Sequence, residues 1–210
     1  MIKEMLKKIE WLGHDGFRIK SSLTLYFDPY QIKPGPVADF IFISHPHFDH
    51  CSPEDIDKIK EEDTIIVTEE ESAKKLSGRI EVMKPGDEKV FKDIKVKAVS
   101  AYNIGKTFHT KEKGWLGFVV EVEGVRIYHA GDTDFIPEME EIRADIAFLP
   151  VSGTYVMTAD EAVKAALTIK PQIAIPMHYG AIVGTETDAD RFAKALEGKI
   201  EVVILPREDK

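Results

Sequence analysis

Residues 40–50 read Phe40-Ile41-Phe42-Ile43-Ser44-His45-Pro46-His47-Phe48-Asp49-His50. The four apolar residues at the start predict a strand buried on both faces. Because alternate residues of an extended segment point the same way, His45 and His47 can reach one point. The turn that follows can bring Asp49 and His50 to a second point nearby. Imidazole and carboxylate are ligands for zinc, iron or manganese. The stretch therefore indicates a metal site at the end of a buried strand; the alternative is a solvated histidine-rich turn.

Two later segments place further metal-binding side chains just past apolar strands. Asp132 follows the run at 125–130 and comes directly after Gly131, a residue that permits a sharp turn. His178 follows the short apolar run at 173–176. A Gly-Asp turn or a histidine of this kind is, when alone, more often structural. Together with the segment at 45–50, the two residues supply enough side chains for two metal shells.

Composition limits the kind of protein. The chain has 210 residues, 43% of them apolar, which excludes a disordered chain and suits one domain spanning 1–210. A single cysteine excludes a disulfide framework and a multi-cysteine zinc site. The net charge of −9 argues against a broad nucleic-acid surface, which needs clustered Lys and Arg. With no signal peptide and no apolar run of membrane-spanning length, we expect a soluble cytoplasmic protein. Abundant Lys, Glu and Ile with scarce Asn, Gln and Cys hint at a heat-adapted source.

Short strand-like runs alternate with capped helices along the chain. Helices are predicted after the cap Ser52, after capping boxes at 68–71 and 158–161, and over 187–196. Strands that are apolar on both faces need cover on both sides, so the pattern favours two packed sheets with helices outside. The strands are predicted at 6–12, 16–20, 23–28, 40–43, 65–67, three within 80–99, 115–123, 125–130, 146–149, 173–176 and 200–205.

The order of these motifs resembles the metallo-β-lactamase superfamily over nearly the whole chain. The resemblance rests on His-x-His-x-Asp-His after a buried strand, then a Gly-Asp-Thr turn at 131–133, then a late histidine. The segments at 12–19, 27–29 and 128–133 further resemble the ascorbate-6-phosphate-lactonase-like branch. The resemblance implies an α/β protein with a four-layer αββα sandwich and a metal centre at one edge of the paired sheets.

The same resemblance implies a role for each site residue. His45 and His47 would bind a first divalent ion, and Asp49, His50 and His178 a second, with Asp132 between them. The metal would be zinc, with manganese or iron as alternatives. Asp28 would orient a ligand, or it would be a turn acid before Pro29. His14 would line the pocket, or it would be an ordinary turn histidine. His129 would support the site, or it would simply end a strand. Cys51 is expected to be a small buried residue rather than a ligand or nucleophile.

One position departs from the family pattern. The resemblance implies a third histidine for the first metal, and the register with the strand at 94–99 puts Asn103 there, while the nearest histidine is His109. Either Asn103 is a weak ligand and His109 reaches in from the loop, or the first metal is bound loosely, because an amide is a poorer zinc ligand than imidazole. Nearby Lys106, Lys111 and Lys113 could attract an anionic substrate or be solvated.

The function implied is a metal-dependent hydrolase. A metal-bound hydroxide would attack a small ester, lactone or phosphoester, with Asp49 accepting a proton and His14 or His109 helping to stabilise the oxyanion. The substrate would be a small anionic molecule, because Asp49 and Asp132 balance only part of the charge of two divalent ions. Nucleic acid and membrane partners are not expected, and the oligomeric state is open. The alternatives are a phosphodiesterase or nuclease, and a metal-binding sensor or interaction module without catalysis.

Overall fold

Two β-sheets packed face to face form the centre of the protein, and the computed structural model describes residues 1–91 and 93–208. The first sheet has the strand order β1 to β6, namely Ile9–Gly13, Gly16–Lys20, Thr24–Phe27, Phe40–Phe42, Ile65–Thr68 and Arg79–Val82. Its first three strands pair antiparallel, and the strands from β3 onward pair parallel. A tight turn that carries His14 and Asp15 connects β1 to β2.

The second sheet has the strand order β13-β12-β11-β10-β9-β8-β7. Strands β7, β8, β9 and β10 form an antiparallel meander, and β10 to β13 pair parallel. In chain order the strands are Glu88–Phe91, Ile94–Ser100, Leu116–Val122, Val125–His129, Ile146–Pro150, Ile173–Met177 and Glu201–Val202.

Helices cover the outer faces of both sheets. The α-helices are α1 Ile2–Leu6, α2 Pro53–Asp57, α3 Glu70–Ala73, α4 Ala159–Ile169 and α5 Glu186–Leu196, with 3-10 helices at Lys111–Lys113 and Pro137–Glu141. Helix α4 packs on β11, and α5 packs on β12 and β13. On the other side, Ile56 of α2 joins a separate apolar cluster with Tyr26, Ile41 and Ile66 of the first sheet. The predicted αββα sandwich is confirmed. No helix in the described residues is long and apolar enough to cross a membrane.

Local differences from the sequence prediction have simple causes. The predicted capping box at 68–71 is wrong, because Thr68 still belongs to β5 and donates its hydroxyl to the Ile43 carbonyl. Glu69 caps α3 instead, by accepting from the backbone N–H groups of Glu71 and Ser72. The first strand begins only at Ile9, since a short helix precedes it, and the last strand is limited to Glu201–Val202.

Aromatic side chains fill the space between the sheets. Phe17 of β2 stacks on Phe148 of β11 with ring centroids 4.0 Å apart, and Phe42 of β4 packs on Phe118 of β9. All four rings are fully buried. Because the buried strands pack rigidly against each other, the loops that follow them are held at fixed positions along one edge.

Truncating this core should destabilise the whole chain. We expect Phe148→Ala to lower the free energy of unfolding by about 3–5 kcal/mol, since it loses apolar burial and leaves a cavity. The measurement is chemical denaturation, with Val90→Ala as the control because Val90 is 72% exposed. Equal midpoints for the two variants would contradict the central role of the Phe17–Phe148 stack.

Candidate metal centre

Six of the seven histidines converge at one edge of the sheets, in two groups whose candidate ligand atoms lie within 4.8 Å of one another. Each histidine lies on a loop that leaves a core strand. The first group contains His45, His47 and His109. The second contains His14, His50 and His178, and an overlapping set joins Asp15 and Asp132 to His50 and His178. These groups contain every predicted metal ligand except Asp49.

The first group presents three ring nitrogens to one point. His47 Nδ1 lies 3.0 Å from His45 Nε2 and 3.2 Å from His109 Nε2. Three nitrogens bound to zinc at 2.0–2.1 Å in a tetrahedron would be roughly 3.3–3.4 Å apart. Trp115 stacks on His45 with ring centroids 4.8 Å apart and supports the group from behind. The spacing fits a single ion held by three imidazoles.

The second group combines imidazoles with carboxylates. His14 Nε2 donates a hydrogen bond to Asp49 Oδ2 at 3.1 Å, and the same oxygen lies 3.8 Å from His50 Nε2. The His14 and His178 rings are 4.3 Å apart between centroids. Asp15 is fully buried, and neither of its carboxylate oxygens has a hydrogen-bond partner in the described part of the chain.

Asp132 lies between the two groups and presents one oxygen to each. Its Oδ1 is 3.4 Å from both His50 Nε2 and His178 Nε2. Its Oδ2 is 3.5 Å from His109 Nε2 and 3.8 Å from His45 Nε2. The turn that positions it requires glycine at 131, because φ there is +62° and a Cβ would lie 2.7 Å from the Leu116 carbonyl oxygen.

Hydrogen bonds behind the histidines fix which nitrogen faces the centre. Asp28 accepts from the Ser44 hydroxyl at 2.6 Å and from His50 Nδ1 at 2.9 Å. Since the Ser44 hydroxyl proton is given to Asp28, His45 Nδ1–H must donate to the Ser44 oxygen, at 2.9 Å. This assignment follows from the acceptors and directs Nε2 of His45 and Nε2 of His50 at the centre, which is the orientation that metal ligation needs.

The remaining histidines are held in the same way. His178 Nδ1 donates to the Ser152 hydroxyl at 2.8 Å, and His109 Nδ1 donates to the Tyr155 carbonyl at 3.1 Å. Both leave Nε2 directed at Asp132. Because backbone and hydroxyl acceptors fix these tautomers, the inward-facing nitrogens are set before any ligand arrives.

Backbone strain concentrates around the centre. His14, Asp28, His109 and His178 all have φ between +38° and +61°, a region that residues other than glycine rarely adopt. Tyr155, whose carbonyl holds His109, has φ of +68°. Such conformations cost free energy and persist only where the surrounding structure enforces them. Their grouping at one place supports the interpretation of this edge as the functional site.

Burial and charge divide the histidines into two electrostatic classes. Burial lowers the pKa of His45 well below its usual value and also lowers the pKa values of His47, His109 and His14. For His50, burial acts in the same direction, but Asp132 and Asp28 outweigh it and raise its pKa well above the usual value. The first group is therefore neutral, which is the form of imidazole that binds metals.

The carboxylates also differ from one another. Burial alone would raise the pKa of Asp132, but His50 and His178 lower it well below its usual value. Burial likewise opposes ionisation of Asp49, and the hydrogen bond from His14 lowers its pKa nonetheless. Burial raises the pKa of Asp15 well above the usual value, because this carboxyl has no donor of its own. Asp132 and Asp49 are ionised within the protein, whereas for Asp15 burial outweighs the effect of nearby His178 and of His50, whose Nδ1 lies 3.6 Å from Asp15 Oδ2.

The loop from 103 to 109 resolves the departure at Asn103. The Asn103 side chain lies behind the His109 ring: its Nδ2 donates to the Tyr155 carbonyl at 2.6 Å and lies 3.2 Å from His109 Nδ1, the nitrogen that faces away from the centre. Its backbone N–H donates to the His109 carbonyl at 2.7 Å, which brings the chain back toward the centre. His109 thus completes the first group from a position six residues beyond the one that the strand register indicated.

The basic cluster in this loop is neutralised by acids. Lys106 pairs with buried Asp134. Lys111 pairs with Glu138 at 2.7 Å, and Lys113 with Glu71 at 3.2 Å. The three lysines consequently offer little free positive charge to a ligand.

Cys51 and His129 lie outside both groups. Cys51 is buried in the separate apolar cluster that Ile56 of α2 forms with the first sheet. Burial raises the pKa of the Cys51 thiol to about 11, so it is neutral at physiological pH. His129 stacks on Phe27, and its Nε2 donates to the Asp15 carbonyl at 2.9 Å. His129 therefore acts on the backbone that carries Asp15 rather than on the centre itself.

Sequence reasoning missed Asp15, Ser44, Ser152 and Tyr155. Asp15 is adjacent to His14, but one acid in a tight turn gives no signal of its own. The two serines and the Tyr155 carbonyl meet their histidines only through tertiary contacts. Ser44 precedes the histidine motif directly, which is the one local signal that it could support His45.

Comparison with known proteins identifies the family. The profile described as "Beta-lactamase superfamily domain" matches residues 8–178. A UPF0173 metal-dependent hydrolase of Archaeoglobus fulgidus is 35% identical, with 94% of this chain and 95% of that protein covered. One from Thermoplasma acidophilum is 36% identical, with 97% and 96% covered. The chain belongs to the UPF0173 metal-dependent hydrolases of the beta-lactamase superfamily. The resemblance to this superfamily is confirmed, while the likeness to the lactonase branch stays a resemblance.

Solved structures agree with this assignment. A crystallised protein from Parabacteroides distasonis is 35% identical and superimposes with a TM-score of 0.85, covering 94% of this UPF0173 chain and 91% of that chain. A metallo hydrolase from Ignicoccus hospitalis, Igni18, is 20% identical with a TM-score of 0.79, covering 95% and 94%. The second comparison supports the fold alone.

The opposite pKa shifts of His45 and His50 predict different protonation states in this UPF0173 protein without metal. At neutral pH, we expect His50 to be an imidazolium, since its pKa is raised above the ordinary value of about 6.5, and His45 to be neutral. Nitrogen-15 NMR of the imidazoles measures both states. Asp28→Asn should lower the pKa of His50, and a neutral His50 beside a charged His45 would contradict the electrostatic division.

The role of Asn103 predicts a defined effect on its loop. Asn103→Asp removes the donor to the Tyr155 carbonyl and sets two oxygens against each other, so we expect a loss of about 1–3 kcal/mol in local stability. Hydrogen exchange of amides 104–109 should accelerate accordingly. Gln31→Glu, the same chemical change at an exposed residue, is the control. Identical exchange in the two variants would show that Asn103 does not hold the loop.

Proposed function

We propose that this chain is a hydrolase with a dinuclear metal centre that cleaves a small ester, lactone or phosphoester. One observation carries the proposal: Asp132 presents one oxygen to His50 and His178 and the other to His45 and His109. A buried carboxylate shared in this way suits two cations a few ångström apart. The proposal thus includes the class of substrate as well as the type of reaction.

Unpartnered buried atoms test whether the residues fit metal ions. His50 Nε2, Asp132 Oδ1 and both carboxylate oxygens of Asp15 are buried and lack hydrogen-bond partners within the described chain. Buried polar groups are normally paired, and a carboxylate without a partner is especially costly. Lone pairs of three imidazoles also converge in the first group. Cations would satisfy all of these atoms at once, so the donor set fits.

The donor set suggests which residues would hold each ion. His45, His47 and His109 with one oxygen of Asp132 make a nitrogen-rich set of four, as in tetrahedral zinc sites. The second set, His50, His178 and the other Asp132 oxygen, clusters with Asp15, and Asp49 Oδ2 lies 3.8 Å from His50 Nε2. With Asp49 as a ligand this set is richer in oxygen, and His14 adjoins it. Oxygen ligands suit manganese or iron as well as zinc. With His109 in place, the first site no longer needs Asn103 as a weak ligand.

Divalent ions in this centre would supply a nucleophile at neutral pH by lowering the pKa of water toward roughly 7. The chain's own groups would handle the proton. Asp49 is ionised, and its Oδ2 accepts a hydrogen bond from His14 Nε2 at 3.1 Å. His14 is neutral because burial lowers its pKa, and its Nε2–H orients the carboxylate. We therefore propose Asp49 as the proton acceptor, His14 as the residue that positions it and His109 as a ligand.

Charge balance supports an anionic substrate only at the centre itself. Two divalent cations would exceed the charge of the carboxylates Asp49 and Asp132 even with the adjoining Asp15 counted as a third. The loop lysines do not add to this attraction, because Lys106, Lys111 and Lys113 are paired with acids. The same neutralisation leaves the nuclease alternative without a supporting basic surface. The non-catalytic alternative depended on Asn103, and the position of His109 removes that argument.

Metal analysis together with hydrolysis assays tests the proposal. Chelator-treated protein reloaded with zinc, manganese or iron should hold about two ions per chain, following the two donor sets. Asp132→Asn should lose at least one ion and lower hydrolysis of chromogenic esters, lactones and phosphodiesters by about a hundredfold or more, while His109→Ala should retain about one ion.

Glu121→Gln is the matched control for the carboxylate-to-amide change, because Glu121 pairs with Lys95 on the outer sheet face. It should keep both the metal content and the rate of the parent chain. Fewer than one ion in the reloaded parent chain, or equal rates for the parent and Asp132→Asn on every substrate, would refute the proposal.

A further inference from the structure

A cavity of about 320 Å³ opens beside the first histidine group. His47 and His109 form the part of its wall next to the candidate metal centre, and Pro46, Phe108 and Trp115 form an apolar part. The volume lies at the lower end of the roughly 300–1,000 Å³ range of small-molecule sites. A molecule reacting at the centre could therefore place a neighbouring group in this cavity.

Exposed aromatic side chains mark the same region. In the described residues, the large apolar side chains that remain exposed include three aromatic ones, Phe48, Phe108 and Tyr155. Phe108 lines the cavity and contacts Tyr155 edge-to-face, and the Tyr155 carbonyl holds His109. Phe48 contacts Tyr30 instead and does not line the cavity. The other aromatic rings of the chain are at least partly covered. Apolar side chains grouped around a concave site indicate a binding surface for an apolar group.

One lysine on the cavity wall keeps its charge available. Lys113 lines the cavity but pairs with the Glu71 carboxylate at 3.2 Å. Lys75 also lines it, and its ammonium group donates to the Pro46 carbonyl, which is neutral. The positive charge of Lys75 is therefore not cancelled by that partner. A cation next to an apolar wall suits a ligand that combines a flat ring with a negative charge.

We propose that this cavity binds the non-reacting part of the substrate, and that this part is a flat apolar ring carrying a negative charge. The ring would pack on Phe108 and Trp115, and the charge would meet Lys75. This inference rests on the proposed hydrolase function and specifies its substrate class as anionic aryl-containing esters, lactones or phosphoesters. Phe108 and Lys75 are then specificity residues outside the metal-binding set.

Binding of non-hydrolysable probes tests the inference separately from catalysis. We choose benzenesulfonate, which has ring and charge, methanesulfonate, which has charge alone, and benzyl alcohol, which has a ring alone. Calorimetry with metal-loaded protein should give benzenesulfonate a Kd at least about tenfold below that of either other probe. Amide shifts of Thr107 and Thr110, which line the cavity, should report where it binds.

Two variants and two controls assign the binding energy. Phe108→Ala should weaken benzenesulfonate by about tenfold, toward the affinity of methanesulfonate, and Lys75→Gln should weaken it similarly, toward benzyl alcohol. The controls are Val90→Ala, at an exposed apolar residue, and Lys95→Gln, at an exposed cation, both on the second sheet. Both should leave the Kd of benzenesulfonate unchanged.

The outcomes separate this inference from the hydrolase proposal. The parent chain can bind two metals and hydrolyse esters while Phe108→Ala and Lys75→Gln both keep its benzenesulfonate affinity. That result would overturn the inference about the cavity and leave the hydrolase proposal supported. Selective binding that the two variants abolish, in a protein without hydrolysis, supports the cavity while the hydrolase proposal fails. Light scattering gives a third outcome. If the parent chain self-associates and Phe108→Ala abolishes the association, a second copy covers the aromatic side chains. That result would overturn the inference.

Discussion

The candidate site depends on the burial of one carboxylate among imidazoles. Asp132 is 4% exposed, and four histidine Nε2 atoms face its two oxygens. Such a charge is stable in the interior only if compensating groups surround it. Against the effect of burial, Asp132 raises the pKa values of His50 and His178, so these two hold protons that balance its charge. Burial keeps His45 and His109 neutral. Every other feature of the centre is arranged around this balance.

The scaffold provides the rigidity that this balance requires. Each group comes from a loop that follows or joins buried strands, and the sheets are fixed by stacked rings such as Phe17 on Phe148. Behind the loops, Asp28 links Ser44, His45 and His50 into one hydrogen-bonded unit. The strained backbone at His14, His109 and His178 is maintained by the same packing. The protein thus uses core stability to hold a polar and strained edge.

Elements with strong local signals were predictable. The apolar run at 40–43 followed by the histidine motif predicted both a buried strand and a metal-binding loop, and the box at Thr158 and Glu161 predicted the start of α4. The weak signals failed where neighbours compete for a side chain. Thr68 has the composition of a cap, yet it bonds to the adjacent strand, and Glu69 takes the capping role.

The sequence by itself determined the family, the αββα layering and the main candidate donors. Hydrophobic periodicity and the order of motifs can be read along the chain without knowing which segments pack together. Only the tertiary structure decided the rest. The grouping of His109 with His45 depends on how a loop returns across the sheet edge, and a backbone bond from Asn103 to His109 holds that loop. The involvement of Asp15, Ser44 and Tyr155 depends on contacts between distant segments. Spacing along the chain carries no information on such contacts, since they form only when both sheets pack.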